Sequence, residues 1–182
     1  FIAAAASLAN NVVDFCLIPE LEFSLTGESG LFNSLVKRLE ENRNAVIVAA
    51  EGSGQNLIKD VNQAKDASGN VLKNDIGVYL KEELTELFIG SGKDISIKYL
   101  DPSYHIRSVA AIASDAIFCY QLAENAVHAA MAGKTNLLIG HWNNFFTHVP
   151  ISLATKTRRK VDISGALWTG VLSSTQQNNL FK

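Results

Sequence analysis

The sequence predicts an α/β protein with a mainly parallel sheet and helices on both faces. Strand-like apolar runs alternate along the chain with segments of helical periodicity. The strand-like runs at residues 12–19 and 45–50 are apolar almost throughout, as in strands that are covered on both sides. The length of 182 residues and the apolar fraction of 47% allow a sizeable core and at most two structural units.

The amino-terminal part of the chain predicts a strand, helix, strand unit. Residues 1–9 (FIAAAASLA) are apolar and rich in alanine, which favours a helix before the first strand. Residues 31–39 carry apolar side chains at helical spacing with charges on the other face. The second strand ends in a glycine-containing turn at residues 51–55. This order of elements indicates a right-handed parallel unit.

The alternation continues through the rest of the chain. Polar residues at 59–74 predict a surface loop. Further helices are predicted at 76–89, 112–131 and 162–172, and further strands at 94–100, 135–139 and 145–151. In the first of these strands Ile95 and Ile97 alternate with polar residues, which places Lys98 on the face opposite the isoleucines.

Charge and cysteine content narrow the classes of function. Sixteen Lys and Arg residues against eighteen Asp and Glu residues give a net charge of −2, so there is no overall positive field for nucleic acid or an anionic membrane. The longest uncharged apolar run, at residues 1–9, is too short for a membrane span and lacks the basic flank of a signal peptide. Cys16 and Cys119 lie in apolar stretches, and the histidines lack metal-ligand spacing. We expect a cytoplasmic protein with no nucleic-acid or membrane partner and no metal site.

Ligands of parallel α/β sheets bind at the carboxyl ends of the strands. Glu20 directly follows the first strand, where a carboxylate can accept hydrogen bonds from sugar hydroxyls; a helix-capping or solvated glutamate is the alternative. Glu51 begins the turn after the second strand, where a purely structural turn is the favoured interpretation.

The segment at residues 99–107 (YLDPSYHIR) is the third candidate. The guanidinium of Arg107, the phenol of Tyr104 and the amine of nearby Lys98 together suit a phosphate monoester. The alternative is an ordinary turn at residues 101–103, with Arg107 paired to a carboxylate.

Five segments, taken in order, resemble a known family. They are FIAAAASLA, DFCLIPELEF, NAVIVAAEGSGQ, KYLDPSYHIRSVAAIASD and AVHAAMAGKTNLLIG. They resemble the carboxyl-terminal half of the 6-phosphofructokinases over nearly the whole chain. The AEG-S-GQ turn and the DPSY-IR segment make the sequence most similar to the longer ATP-dependent branch of plants and trypanosomatids. The resemblance implies phosphorylation of fructose 6-phosphate to fructose 1,6-bisphosphate in glycolysis.

The resemblance also implies roles for four residues. Glu20, in the PE motif, would bind a hydroxyl of the fructose 6-phosphate ring. Arg107 would bind the 6-phosphate, and Tyr104 stands where the short bacterial enzymes have a phosphate-binding histidine. Lys98 stands where those enzymes have an arginine that reaches the substrate of a neighbouring subunit, so a homo-oligomer is expected. Lysine keeps the charge of that arginine but lacks its fork.

The catalytic part of the family would precede Phe1, so the resemblance implies a fragment without the catalytic base. ATP with Mg²⁺ would bind in the intact enzyme, outside this chain, and the fragment alone is expected to be inactive. Residues 1–106 are predicted to form the fructose 6-phosphate-binding domain, and residues 107–182 to pack back on the missing domain. Three alternatives stay open: a non-catalytic sugar-phosphate-binding regulatory subunit, a pyrophosphate-dependent phosphofructokinase, and an unrelated α/β interaction domain.

Overall fold

The computed structural model describes residues 1–58, 69 and 73–177. The chain divides into two compact units, the first formed by Phe1–Asp101 with Lys160–Lys182 and the second by Pro102–Arg159. Most of the surface loop predicted at 59–74 lies outside the described residues.

The described residues contain seven α-helices and four strands. In chain order these are α1 (Ile2–Ala9), β1 (Phe15–Leu17), α2 (Leu31–Asn42), β2 (Ile47–Ala49), α3 (Ile76–Gly90), α4 (Ser103–Ser108), α5 (Ala113–Met131), β3 (Leu137–Trp142), β4 (Phe145–Pro150), α6 (Ile151–Ala154) and α7 (Ala166–Thr175). The predicted α/β class is confirmed. None of these helices is long and apolar enough to cross a lipid bilayer.

Strand β1 is the centre of the first unit. It pairs with β2 in parallel, with Cys16 opposite Val48 in the register. Successive side chains of a strand point to opposite faces, and β1 shows this directly. Phe15 and Leu17 enter one apolar core, whereas Cys16 and Ile18 enter another. The prediction of helices on both faces of a parallel sheet is therefore confirmed.

Each core is built by a pair of helices. Helices α2 and α3 cover one face of β1, where the rings of Phe32 and Phe88 lie 4.9 Å apart. Helices α1 and α7 cover the other face, where Trp168 is only 1% exposed. On the edge of β1 that faces away from β2, the side chain of Gln177 forms the hydrogen bonds that a neighbouring strand would form. Its amide NH₂ donates to the Cys16 carbonyl at 2.9 Å, and its amide oxygen accepts from the Cys16 N–H. The Cys16 side chain is fully buried, and this burial raises the pKa of its thiol.

Two local predictions are wrong. The segment at 94–100 forms no strand, although Ile95 and Ile97 are partly buried against the α2–α3 core and Lys98 is exposed, as the alternation required. Alternation thus reports which side chains face the core, and a strand also needs a hydrogen-bonding neighbour. The run at residues 45–50 predicted a strand covered on both sides, whereas the side chains of β2 are only partly buried. Ser103, the last residue of the turn considered as an alternative, begins helix α4.

The second unit contains an antiparallel hairpin and the long helix α5. Strands β3 and β4 confirm the two strands predicted there, and they are joined through Asn143 and Asn144, whose φ values of 47° and 65° match a type I′ turn. Helix α5 begins and ends within one residue of its predicted limits, yet Ala129 is its only buried residue. Met131, for example, is 83% exposed.

Candidate functional site

The carboxyl ends of β1 and β2 lie at the same edge of the parallel pair. Because Leu17 is opposite Ala49 in the register, the turns that follow the two strands emerge side by side. Pro19 packs against Gly52 so closely that a Cβ at position 52 would lie 3.3 Å from the proline ring. The turn that carries Glu20 is therefore in contact with the turn that follows β2.

Glu20 is half-buried at this edge. Its Oε1 accepts a hydrogen bond of 2.9 Å from the backbone N–H of Val161. Its Oε2 is shielded from solvent and has no hydrogen-bond donor within the described residues. An unpaired buried carboxylate oxygen is costly, so Glu20 retains an acceptor for a hydroxyl or amine.

Glu51 is the second carboxylate of the edge, and it is exposed. The turn behind it is tightly fixed, because the Ser53 N–H and hydroxyl both donate to the Ala50 carbonyl, at 2.8 and 2.6 Å. Gly54 has a φ of 60°, and a Cβ there would come within 2.8 Å of Ile76. The turn is structural, as the sequence indicated, and it also presents the exposed Glu51 carboxylate, for which the described residues supply no hydrogen-bond or ion-pair partner.

Lys73 is a residue of this edge that sequence reasoning did not single out. Its Nζ would lie 2.9 Å from a Cβ at Gly52, so the amine reaches over the turn after β2. The chain is held there by Gln55, whose side-chain amide donates to the Asn74 carbonyl at 3.0 Å and accepts from the Asn74 N–H at 3.2 Å. Lys73 lies in a polar segment of the sequence, and no pattern there predicts that its amine approaches Gly52.

Tyr104 and Arg107 lie three residues apart on helix α4, which places them on the same face of that helix. The side chain of Tyr104 is 81% exposed, and Arg107 is exposed as well. Within the described residues Arg107 forms no ion pair. Helix α4 thus presents a phenol and a guanidinium side by side to any anion that approaches it.

The candidate residues are divided between the two units. Glu20, Glu51 and Lys98 belong to the first unit, and Tyr104 and Arg107 belong to the second. Lys98 is exposed in the segment that precedes α4. The convergence of Glu20 and Arg107 on one pocket therefore stays a prediction.

Comparison with known proteins shows which proteins the chain is similar to. No family model matches it. The chain is 49% identical to an ATP-dependent 6-phosphofructokinase of Borreliella burgdorferi, over 97% of the chain and 41% of the relative. It is 43% identical to the chloroplastic ATP-dependent 6-phosphofructokinase 4 of Arabidopsis thaliana, over 97% of the chain and 34% of the relative. The chain is related to the 6-phosphofructokinases. The resemblance that the sequence segments indicated is confirmed.

The trypanosomatid branch of the 6-phosphofructokinases is also represented. The ATP-dependent 6-phosphofructokinase of Trypanosoma brucei brucei is 42% identical over 94% of the chain and 35% of the relative. The chain thus spans about two-fifths of the length of the first phosphofructokinase named above and about a third of the other two.

Within its described residues, the chain contains no group of three or more His, Cys, Asp or Glu residues that could hold a metal ion. Two surface cavities, of about 360 and 260 Å³, are lined by residues of the α3 end and of the α5–β3 connection. Neither includes a candidate residue. The candidate residues of the first unit supply carboxylates and amines, and those of the second unit supply a phenol and a guanidinium. These are groups that bind sugar hydroxyls and phosphates.

Proposed function

We propose that this chain is the fructose 6-phosphate side of an ATP-dependent 6-phosphofructokinase. The reaction transfers the terminal phosphoryl group of ATP to the 1-hydroxyl of fructose 6-phosphate, which loses its proton and yields fructose 1,6-bisphosphate and ADP. The observation that carries the proposal is the 49% identity to an enzyme of that name over 97% of the chain. The exposed carboxylate, phenol and guanidinium described above support it.

Phosphate binding is proposed for the residues around α4. Arg107 supplies a forked donor that pairs with two oxygens of the 6-phosphate, and Tyr104 adds a hydroxyl from the same face of the helix. Lys98 contributes a point charge toward the phosphate of a substrate held by a neighbouring subunit. This last role requires a homo-oligomer, which is part of the proposal.

Sugar binding is proposed for the carboxylates at the edge of the sheet. Glu20 is the carboxylate that the PE motif indicates, and its unpaired Oε2 supports a role as hydroxyl acceptor. Glu51 is exposed and accepts a hydroxyl without any movement of its turn. We include both carboxylates in the site, with Glu51 as the readily accessible one.

The remaining parts of the reaction are proposed to lie in the upstream part of the full-length protein. Phosphoryl transfer depends on positioning and on neutralisation of the donor phosphates, for which Mg²⁺ bound with ATP supplies the charge. The base that takes the proton of the 1-hydroxyl is expected upstream as well. In this proposal residues 1–106 bind the sugar phosphate together with Arg107. The part of residues 107–182 that precedes α7 packs on the upstream domain, since α7 packs on β1, and the enzyme acts in the cytoplasm.

The test is an assay of the full-length protein that carries this chain. Fructose 1,6-bisphosphate formation is followed with either ATP or pyrophosphate as donor, at equal Mg²⁺. We expect formation with ATP. Activity with pyrophosphate alone would assign the pyrophosphate-dependent reaction, and binding of fructose 6-phosphate without turnover would assign a regulatory subunit.

A further inference from the structure

Lys98 lies in a segment that neither a helix nor a strand holds in place. The segment follows α3, and its isoleucines Ile95 and Ile97 rest partly buried against the α2–α3 core. Directly beyond Lys98, the side chain of Tyr99 makes the next anchoring contact. Its hydroxyl lies 3.0 Å from each carboxylate oxygen of Asp75.

Asp75 is itself a fixed point. It is the N-cap of α3, and its Oδ1 accepts hydrogen bonds from the N–H groups of Gly77 and Val78, at 2.9 and 3.1 Å. The Tyr99 ring lies over Gly77, where any side chain would overlap it, since a Cβ at that position would collide with the ring carbons. The absence of a side chain at Gly77 therefore leaves the slot in which Tyr99 binds.

We propose that the contact between Tyr99 and Asp75 positions the Lys98 amine to bind the phosphate of fructose 6-phosphate. Burial alternates along residues 95–98, with the isoleucines partly buried and Ser96 and Lys98 exposed. The contact of Tyr99 with Asp75 continues this alternation, with Tyr99 on the side of α3 and Lys98 on the outer side. The amine is exposed, and within the described residues it forms no ion pair. Tyr99 and Asp75 are thus positioning residues. This inference rests on the proposed role of Lys98 in sugar-phosphate binding.

The protonation state of Tyr99 supports a permanent contact. Burial, and then the hydrogen bond and charge of Asp75, raise the pKa of Tyr99 to about 12 from its ordinary value of 10. The protonated phenol is the donor, so the contribution of the contact is complete below pH 10. It is lost as the pH rises through about 12. Over the neutral range the Tyr99 phenol therefore stays protonated and can donate to Asp75.

The first experiment is Tyr99→Phe in the full-length protein, which keeps the ring over Gly77 and removes only the hydroxyl. The matched control is Tyr79→Phe, which removes a hydroxyl that donates to the Leu57 carbonyl at 3.3 Å in the same unit. We expect Tyr99→Phe to raise KM for fructose 6-phosphate about fivefold with little change in kcat, and Tyr79→Phe to leave both unchanged. Equal effects of the two variants would overturn the inference.

The second experiment combines Tyr99→Phe with Lys98→Ala. If Tyr99 acts through Lys98, the double variant has the KM of Lys98→Ala alone, whereas independent contributions multiply. Multiplied effects would overturn the positioning role. A raised KM in Lys98→Ala beside an unchanged KM in Tyr99→Phe would overturn the inference and leave the proposed function intact. An unchanged KM in Lys98→Ala would remove Lys98 from the proposed function itself.

Discussion

The two units of the chain stabilise their elements in different ways. In the first unit β1 buries side chains on both faces, and four helices supply the cores that receive them. In the second unit the longest helix, α5, buries only Ala129 and exposes most of its apolar side chains. Apolar composition alone therefore does not show that a helix has its own core. The first unit buries apolar side chains in two cores of its own, whereas α5 of the second unit exposes an apolar surface of the kind that another protein surface covers.

The largest expected effect comes from breaking the core of the first unit. Trp168→Ala empties a nearly inaccessible site between α1 and α7 and should lower the free energy of unfolding by about 3–5 kcal/mol. Met131→Ala, at an exposed position of α5, should change it by less than about 0.5 kcal/mol. Urea denaturation of the two variants measures both. A large loss in Met131→Ala would mean that the second unit buries this side chain in solution.

The next effect concerns function in the second unit. Arg107→Ala removes the proposed fork to the 6-phosphate, and a charge-assisted contact of about 1.5–3 kcal/mol corresponds to a loss of roughly ten- to a hundredfold in kcat/KM for fructose 6-phosphate. Arg158→Ala is the matched control, because it removes an exposed arginine of the same unit. Both variants should keep near-native unfolding midpoints. Equal kinetic losses would show that overall charge, rather than a contact of Arg107, supports the activity.

A smaller effect separates the two carboxylates of the first unit. Glu51→Gln should raise KM for fructose 6-phosphate by about five- to tenfold without changing the unfolding midpoint, because the side chain is exposed and supports no described contact. Glu20→Gln should raise it less, since its Oε2 is shielded and its Oε1 is already engaged by Val161. Steady-state kinetics on the full-length protein decide between them. A loss confined to Glu20→Gln would assign the sugar hydroxyl to Glu20 and leave Glu51 as part of the turn.

Sequence patterns predicted most elements because local periodicity reports burial. The limits of α3 and α5 follow from it to within one residue, and the uninterrupted apolar run around Cys16 correctly indicated a strand covered on both faces. Hydrogen-bonding partners are a different matter. Ile95 and Ile97 lie against the core, on the face opposite Lys98 as predicted, but no strand in the described part of the chain pairs with them, and the segment is not a strand.

The candidate site was predictable where it depends on strand ends and was hidden where it depends on distant contacts. Glu20 follows the buried strand β1, and Glu51 follows the partly buried strand β2. Both strands are visible in the sequence as apolar runs. The bond from the Val161 N–H to Glu20 joins residues that are 141 positions apart. The approach of Lys73 to Gly52 likewise depends on the path of the chain in space. No local pattern encodes contacts of this kind.

The smallest expected effect is on the stability of the hairpin formed by β3 and β4 in the second unit. Asn143 and Asn144 both hold positive φ values in its turn. Asparagine tolerates that region better than most residues, but glycine at the second position of a type I′ turn is preferred. Asn144→Gly should therefore stabilise the hairpin by a few tenths of a kcal/mol, because the relief of strain at positive φ exceeds the extra conformational entropy that glycine gives the unfolded chain. Amide hydrogen exchange of β3 and β4 measures the change locally. Asn144→Ala is the control, and it should destabilise the hairpin, because alanine lacks the short polar side chain that lets asparagine tolerate this φ. If amide protection of β3 and β4 instead falls in Asn144→Gly, the asparagine side chain, rather than the backbone conformation, stabilises the turn. The hairpin would then depend on specific polar contacts of that side chain.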